Sequence, residues 1–171
     1  MAEAVKLQKR PAAYLETSFI NRLADPLKRD PRTRQEQLDS REWWRVYRSR
    51  YTLVVSRATV DECSQYANAR LVRLRQRYLA KTTRHRLSTS KMNRLVVALR
   101  QPYGPLPEAE ILDATHIAAA VLSGCALLLT WNQKHIANPF TRDQVDNIVR
   151  RHGYQTPLIV TPSQFLQAAT E

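Results

Sequence analysis

The chain alternates short apolar runs with longer amphipathic segments, and this alternation restricts the available folds more than any other feature. The apolar runs lie at 12–15, 51–56, 126–130 and 158–160. Continuous apolar runs are typical of strands that are covered on both faces, and an alternation of strands with helices is typical of a parallel sheet. We therefore predict a single α/β domain with a mostly parallel central sheet.

Helical periodicity fills the intervals between these runs. Apolar residues at helical spacing predict helices at 17–23, 34–50, 92–99 and 113–122, a helix that starts at Thr141 and is closed by Gly153, and a short terminal helix that starts at Thr161. The helix after the second strand is expected to carry Asp61 and Glu62 near its start and to continue in the same pattern toward Tyr78. Residues 79–90 are ambiguous and can hold a short edge strand at 86–89.

Capping signals add helix boundaries to this pattern. Thr141 and Gln144 have the spacing of a capping box, and Thr161 precedes a proline at the first helical position. Thr17 and Ser18 suit the start of the first helix, so the neighbouring Glu16 is expected to be free for another role.

Composition excludes several classes of protein. The three glycines are too few and too scattered for a glycine-rich phosphate loop, and the two cysteines form no CxxC pair. The N-terminus has no apolar stretch like a signal peptide, and no run approaches the length of a membrane span. We therefore expect a cytosolic protein consisting of one domain over 1–171, with residues 1–11 as a flexible tail.

The net charge of +12 points to a polyanionic partner. This charge is concentrated in one part of the chain. Residues 61–100 contain 10 basic and 2 acidic side chains, whereas residues 101–171 contain 4 basic and 6 acidic ones. The basic middle therefore precedes a slightly acidic final third.

Oxygen-bearing side chains recur at the ends of the predicted strands. They are Glu16, Asp61, Glu62, Asp113 and Asn132. Parallel sheets bind ligands at the carboxyl ends of their strands, and carboxylate oxygens suit a hard divalent cation such as Mg²⁺ or Mn²⁺. Such a site can activate water against a phosphodiester. Taken singly, an acidic residue at a helix start can instead simply stabilise the helix dipole.

Four segments carry a resemblance to a known family. They are the Tyr-Leu-Glu-Thr-Ser sequence at 14–18, the segment 56–62, the Asp-Ala-Thr-His-Ile-Ala sequence at 113–118, and the segment 128–138 around Trp131-Asn132. Over residues 14–165 the chain resembles the PIN-domain ribonucleases and, among them, the VapC-type toxins of toxin–antitoxin pairs. The last segment is the most specific of the four.

The resemblance implies a PIN-like three-layer α/β/α sandwich that binds Mg²⁺ or Mn²⁺ and cleaves RNA. Glu16, Glu62 and Asp113 would be the acidic metal ligands, and Asn132 would take the fourth catalytic position. The implied partners are RNA, a cognate antitoxin protein and a second copy in a homodimer.

Two departures from the family pattern leave a second function open. Many PIN domains have Asp where Glu16 stands and a fourth acid where Asn132 stands. The alternative is therefore a catalytically weakened PIN-like module that binds RNA or protein.

Several neighbouring residues are candidates for substrate binding, each with an ordinary alternative. They are Thr17, Lys134, His135, Arg70, Arg73 and Arg77. Lys134 and His135 can hold the scissile phosphate or be solvated loop residues. The arginines, with Arg75, can neutralise RNA phosphates, form a solvated face or dock an acidic antitoxin.

Two other sets of residues have competing interpretations. His116 can face the metal site or lie on the helix surface bonded to a strand end. Trp43, Trp44 and Tyr47 can stack on bases or pack against other helices.

Overall fold

The computed structural model describes residues 10–170 and contains four strands and eight α-helices within that range. The strands are β1 Ala12–Leu15, β2 Thr52–Val54, β3 Leu127–Leu129 and β4 Leu158–Val160. The helices are α1 Thr17–Ala24, α2 Pro31–Tyr47, α3 Arg57–Ser64, α4 Ala69–Leu79, α5 Thr89–Leu99, α6 Ile111–Leu122, α7 Arg142–Arg151 and α8 Pro162–Ala168. A short 3-10 helix, Arg48–Arg50, follows α2. Most of the predicted tail at 1–11 lies outside the described residues.

The four strands form one sheet in the order β2-β1-β3-β4, and every pairing is parallel. In register, Tyr14 pairs with Val54 on one side and with Leu128 on the other, and Leu128 pairs with Ile159. The chain reaches β2 on one side of β1 and then returns to place β3 on the other side. The carboxyl ends of β1 and β3 therefore flank the point at which the sheet changes direction.

Two apolar cores cover the two faces of the sheet, because successive strand residues point to opposite faces. One core packs Tyr14, Val54 and Leu128 against α5, α6 and α7. The other packs Leu15 and Leu129 against α1, α2, α3 and α8. This arrangement confirms the predicted three-layer α/β/α sandwich with a parallel sheet. No helix in the described part of the chain is long and apolar enough to cross a membrane.

The prediction of one long helix after β2 is wrong. The chain leaves helical geometry at Gln65 and starts again after Asn68, whose side chain accepts hydrogen bonds from the backbone N–H groups of Arg70 and Leu71. A capping side chain of this kind satisfies N–H groups that a helix start leaves without partners. Asp61 and Glu62 consequently lie in the second half of α3 rather than near its start.

The possible strand at 86–89 is absent from the described structure. Ser88 is instead the N-cap of α5, with its side chain accepting from the N–H of Lys91. The ambiguous region 79–90 still contacts the sheet at one point, where Thr83 forms an isolated parallel bridge with Val54 at the β2 edge. A single bridge gives hydrogen-bond partners to the backbone of one residue but does not add a strand to the sheet.

Two capping predictions are also wrong, while a third is confirmed. Thr141 makes no side-chain capping bond to α7. Glu16, which the sequence left free, is the N-cap of α1 and accepts from the N–H of Ser18 at 3.0 Å. Thr161 forms the full capping box with Gln164 at α8. The helix expected to begin at Asp113 begins two residues earlier, at Ile111.

Candidate metal centre

The candidate site lies at the carboxyl ends of β1 and β3. Glu16 follows β1 directly, and its backbone N–H donates to the carbonyl of Leu129 at 3.1 Å. Thr130 follows β3, and its hydroxyl donates to the Glu16 carboxylate at 2.7 Å. Open parallel sheets bind ligands where the strand order changes direction, which is the position of these two residues.

Glu16 uses only one of its two carboxylate oxygens to hold the local structure. Its Oε2 accepts from the N–H and the hydroxyl of Ser18 and from the Thr130 hydroxyl. Its Oε1 accepts no hydrogen bond from any residue that the structure describes, although the side chain is only 7% exposed. This buried carboxylate therefore caps a helix with one oxygen and leaves the other available to a cation.

Glu62 has the same division between a bonded and an available oxygen. Its Oε2 accepts from the Thr17 hydroxyl at 2.7 Å and from His116 Nε2 at 2.7 Å. Its Oε1 has no partner among residues 10–170. Burial raises the pKa of Glu62, but the hydrogen bond and charge of His116 and the hydrogen bond from Thr17 more than offset this, so the net pKa is lowered.

His116 is buried between Glu62 and Tyr14. Its Nδ1 lies 2.8 Å from the Tyr14 hydroxyl, which in turn donates to Ser56 Oγ at 2.7 Å. The Glu62 carboxylate can only accept, so His116 Nε2 is the donor of that hydrogen bond. The Tyr14 hydroxyl also lies 3.2 Å from Thr59 Oγ1, so it joins His116 to both Ser56 and Thr59.

The charges around His116 favour its protonated form. Burial lowers its pKa, but the hydrogen bond to Glu62 and the charges of Glu16, Glu62 and Asp113 more than offset that effect and raise the pKa above its ordinary value. The carboxylates of the site therefore favour the protonated form of His116, which would offset part of their negative charge. Of the two sequence-based alternatives, the one facing the site is correct, because the residue is 1% exposed rather than on the helix surface.

The second part of the site is built on Asp113 of α6. Its Oδ1 accepts from Asn132 Nδ2 at 2.9 Å, and its Oδ2 lies 2.7 Å from His135 Nδ1. The Asn132 carbonyl oxygen accepts from the backbone N–H of His135 at 3.1 Å. Asn132 therefore positions Asp113 and His135 with both ends of its carboxamide.

One group in this second part has the spacing of a metal site. The ligand atoms of Glu110, Asp113 and His135 all lie within 4.8 Å of one another, and among the described residues no other set of three or more acidic, His or Cys side chains does so. Two carboxylates and one imidazole fit a divalent ion that accepts both oxygen and nitrogen ligands. The chain therefore has a possible acidic metal-binding site.

The residues expected as ligands thus fall into two sets. Glu16 and Glu62 are joined through His116, whose Nε2 lies 3.9 Å from Glu16 Oε1, and Asp113 is joined to Asn132 and His135. Glu16, Glu62 and Asp113 do not form one compact triad among residues 10–170. The charge of Asp113 nevertheless acts on His116, so the two sets are neighbours.

Sequence reasoning missed Glu110 and gave His135 a different role. Glu110 is the residue before α6, three positions ahead of Asp113, and that spacing places two side chains on one helix face. The spacing was visible in the sequence. The approach of His135 was not, since it depends on how the loop after β3 folds back onto α6.

The candidate substrate-binding residues have different surroundings. Thr17 donates to Glu62 and so positions it, while Lys134 is exposed. Arg70, Arg73 and Arg77 are exposed on α4. Arg75 is 3% exposed and donates twice to Asp25, at 2.9 and 3.0 Å, so it is a structural residue and does not contact a ligand.

The aromatic residues of α2 pack inside the protein. Trp43 is fully buried, with edge contacts to Phe19 and Phe165, and Trp44 packs edge-on against Tyr78. The packing interpretation of these tryptophans is therefore correct. Cys63 is buried, and burial raises the pKa of its thiol to about 12, so it is not an activated nucleophile.

No model of a known protein family matches this chain, and a search of curated proteins finds no match either. The chemistry of the site therefore rests on its own geometry.

Proposed function

We propose that this protein is a metal-dependent endoribonuclease of the PIN-domain type, acting in the cytoplasm as the toxin of a toxin–antitoxin pair. The observation that carries the proposal is the acidic cluster of Glu110, Asp113 and His135 beside Glu16 and Glu62, at the direction change of a parallel sheet. A chain of net charge +12 attracts polyanions, and the cluster supplies the chemistry that arginines alone lack.

In the proposed mechanism, Asp113, Glu110 and His135 would hold the metal ion, and Glu16, which lies outside this cluster, would add negative charge beside it. The bound ion supplies Lewis-acid stabilisation of phosphate charge and a lowered pKa for water. Asn132 fixes the orientation of Asp113. Glu62 Oε1 accepts the proton of the attacking water, while Thr17 and His116 hold the carboxylate in place through Oε2.

The ligand set favours Mn²⁺ over Mg²⁺, although the resemblance names both ions. Mg²⁺ prefers an all-oxygen octahedron, whereas an imidazole nitrogen suits ions further along the transition series. We expect cleavage with either ion and a lower half-saturating concentration for Mn²⁺. An isothermal titration of the purified protein with each ion measures the difference.

The central test is RNA cleavage by the purified protein. We expect a labelled RNA to be cut with 1 mM Mn²⁺ and left intact with EDTA, and Asp113→Asn to reduce the rate by roughly a hundredfold or more. The control is Asp143→Asn, the same chemical change at an exposed residue in the first turn of α7. Equal cleavage in EDTA, or full activity of Asp113→Asn, would contradict the proposal.

A partner test addresses the toxin assignment. An antitoxin encoded by an adjacent reading frame should form a stable complex with this protein and inhibit its cleavage of RNA. We also propose that the protein forms a homodimer, which sedimentation of the purified chain would show. A monomer that no neighbouring gene product inhibits would leave the nuclease assignment standing and overturn the toxin assignment.

A specific observation favours the alternative of a binding module without catalysis. Both Asp113 oxygens and both ends of the Asn132 carboxamide are already engaged by protein groups. A site whose polar atoms already have hydrogen-bond partners in the protein can keep its structure without an ion. In that case millimolar Mn²⁺ would leave the melting temperature unchanged, while RNA binding would persist.

A further inference from the structure

A stretch of 45 residues, 63–107, contains ten Lys and Arg side chains and no Asp or Glu. Arg75 is buried against Asp25, and Arg100 donates to the backbone carbonyls of Val96 and Glu108. The other eight side chains are all exposed. We call them the basic belt: Arg70, Arg73, Arg77, Lys81, Arg84, Arg86, Lys91 and Arg94.

The basic belt is distinguished by the absence of acidic residues from its stretch of chain. Elsewhere, some exposed arginines pair with acids one helical turn away, as in Arg32–Glu36, Arg45–Glu42 and Arg150–Asp146, whereas others, such as Arg34 and Arg48, have no ion-pair partner among residues 10–170. No belt side chain makes an ion pair or a hydrogen bond with any residue from 10 to 170. Uncompensated like charges repel one another, so their concentration costs stability unless an anion binds there.

The belt wraps around one edge of the sheet. Its first part lies on α4, which packs with α1 and α3 on one face, and its last part lies on α5, which packs with α6 on the other. Between them the chain passes the outer side of β2, where the N–H of Thr83 donates to Leu53 and its carbonyl accepts from Val55. The belt therefore runs continuously over both faces through one sheet edge.

The direction of this crossing brings the belt toward the candidate metal centre. The Thr83 bridge is parallel, so residues 84–86 advance toward the carboxyl end of β2. That end leads into α3, which carries Glu62. On α4, Arg70, Arg73 and Arg77 follow helical spacing over about 10 Å, the length of about three phosphates in a stacked strand.

The surroundings of the belt favour a nucleic acid over a protein. Stable protein interfaces are anchored by apolar and aromatic side chains at their centres. Between residues 70 and 94, no large apolar side chain is strongly exposed; the nearest such residues are Tyr66 and Val97. Regularly spaced cations without apolar anchors match a phosphate backbone.

We propose that the basic belt is a docking surface for RNA, distinct from the metal centre, that holds the strand beyond the bond being cut. This inference rests on the proposed ribonuclease function for the identity of the polyanion. It adds that the substrate is a long RNA that spans both the belt and the metal centre. A trinucleotide cannot span both and should be a poor substrate, with the loss mainly in KM.

The test measures binding without metal, so that it does not depend on cleavage. A fluorescein-labelled 20-nucleotide single-stranded RNA is titrated in EDTA at several salt concentrations, using the triple variant Arg77→Gln, Arg84→Gln, Arg86→Gln. Each lost phosphate contact lowers the salt slope by about 0.7, so we expect a decrease of about 2 and roughly 100-fold weaker binding at 0.1 M salt.

The matched control is Arg32→Gln, Arg45→Gln, Arg150→Gln, which removes the same charge from three exposed, ion-paired positions. It should change the salt slope by less than 0.7. The corresponding Arg→Lys triple variant of the belt keeps the positive charges and should retain most of the affinity for RNA. It therefore separates an effect of charge from an effect of misfolding. Equal weakening by belt and control variants would overturn the docking surface and leave only a nonspecific effect of net charge.

Cleavage assays separate this inference from the proposed function. If the belt variant cuts long RNA with an unchanged KM and binds it normally, the belt proposal is wrong while the nuclease assignment stands. If the wild-type protein binds RNA through the belt but never cuts it, the docking surface stands and the nuclease assignment is wrong. If the belt variant loses affinity for polyglutamate but not for RNA, the belt binds an acidic protein and the proposal is overturned.

Discussion

The two parts of the candidate metal centre use the same residue types in opposite settings. In the first, His116 is 1% exposed in its side chain and is bonded at both ring nitrogens, and it links Tyr14 to Glu62. In the second, the His135 side chain is 13% exposed and lies between Asp113 and Glu110, whose side chain is 37% exposed. A buried histidine with two hydrogen-bond partners stabilises the fold, whereas a histidine between two carboxylates, one of them 37% exposed, can change partners and bind an ion.

The largest expected effect is on folding stability and comes from the buried histidine. His116→Ala leaves the Glu62 carboxylate and the Tyr14 hydroxyl without their partner, and leaving a buried polar group without its partner costs about 1–3 kcal/mol for each group. His135→Ala removes one close partner, that of Asp113 Oδ2, and should therefore cost less than His116→Ala. Urea unfolding in EDTA measures both, and equal losses would remove the distinction between the two parts.

For stabilisation by a bound metal ion, His135 should matter more than His116, which is the reverse of their order in folding stability. An ion at 100 times its dissociation constant stabilises the wild-type protein by about 2.7 kcal/mol. We expect His135→Ala to lose most of this stabilisation. A milder change at the other histidine, His116→Gln, should keep it, provided that the variant folds. Thermal unfolding with and without Mn²⁺ measures the difference, and retention by His135→Ala would show that the ion binds elsewhere.

A smaller effect is expected at the far end of the buried network. Tyr14→Phe removes the hydroxyl that joins His116 to Ser56, and leaving a buried donor without its partner costs about 1–3 kcal/mol. Tyr103→Phe, at a tyrosine that is 74% exposed, is the control and should leave the unfolding free energy unchanged. A loss from Tyr14→Phe no greater than that of the control would mean that the hydroxyl contributes nothing to the network.

The smallest effect is on the pH dependence of stability in EDTA. The pKa of His116 is raised in the folded state, so its contribution is fully present below about pH 6.5 and is lost as the pH rises through the folded pKa. The pKa of Glu62 is lowered, so its contribution is lost as the pH falls below about 4.5. His116→Gln should flatten the upper limb of the profile. An identical profile would assign that limb to another group.

The sequence predicted the sheet more accurately than the helix boundaries. All four apolar runs became strands, because only a sheet covered on both faces buries such runs, as at Leu127–Leu129. The helix boundaries depended on whether a capping side chain or the continuing helical pattern was favoured at each position. At 65–68 the Asn68 cap outweighed the helical pattern that continued on both sides of it, and at Glu16 a carboxylate took the capping position expected for Ser or Thr.

The residue types of the site were evident from the sequence, but their partners were not. Glu16, Glu62, Asp113 and Asn132 were identifiable because they follow predicted strands or begin helices. Their grouping into two sets depends on hydrogen bonds between residues that are distant in sequence, such as those between His116 and Glu62, 54 positions apart, and between Asn132 and Asp113, 19 positions apart. No local pattern encodes a contact of that range.

By itself, the sequence determined the layer architecture, the charge distribution and the kinds of atoms at the carboxyl ends of the strands. These follow from local hydrophobicity and composition, which act residue by residue. The tertiary structure alone decided that His116 is buried against Glu62, that Asn132 positions Asp113, and that Glu110 and His135 complete with Asp113 the only such cluster in the described chain. The reason is that a pKa and a ligand set depend on distances between segments, and only the packed sheet brings those segments together.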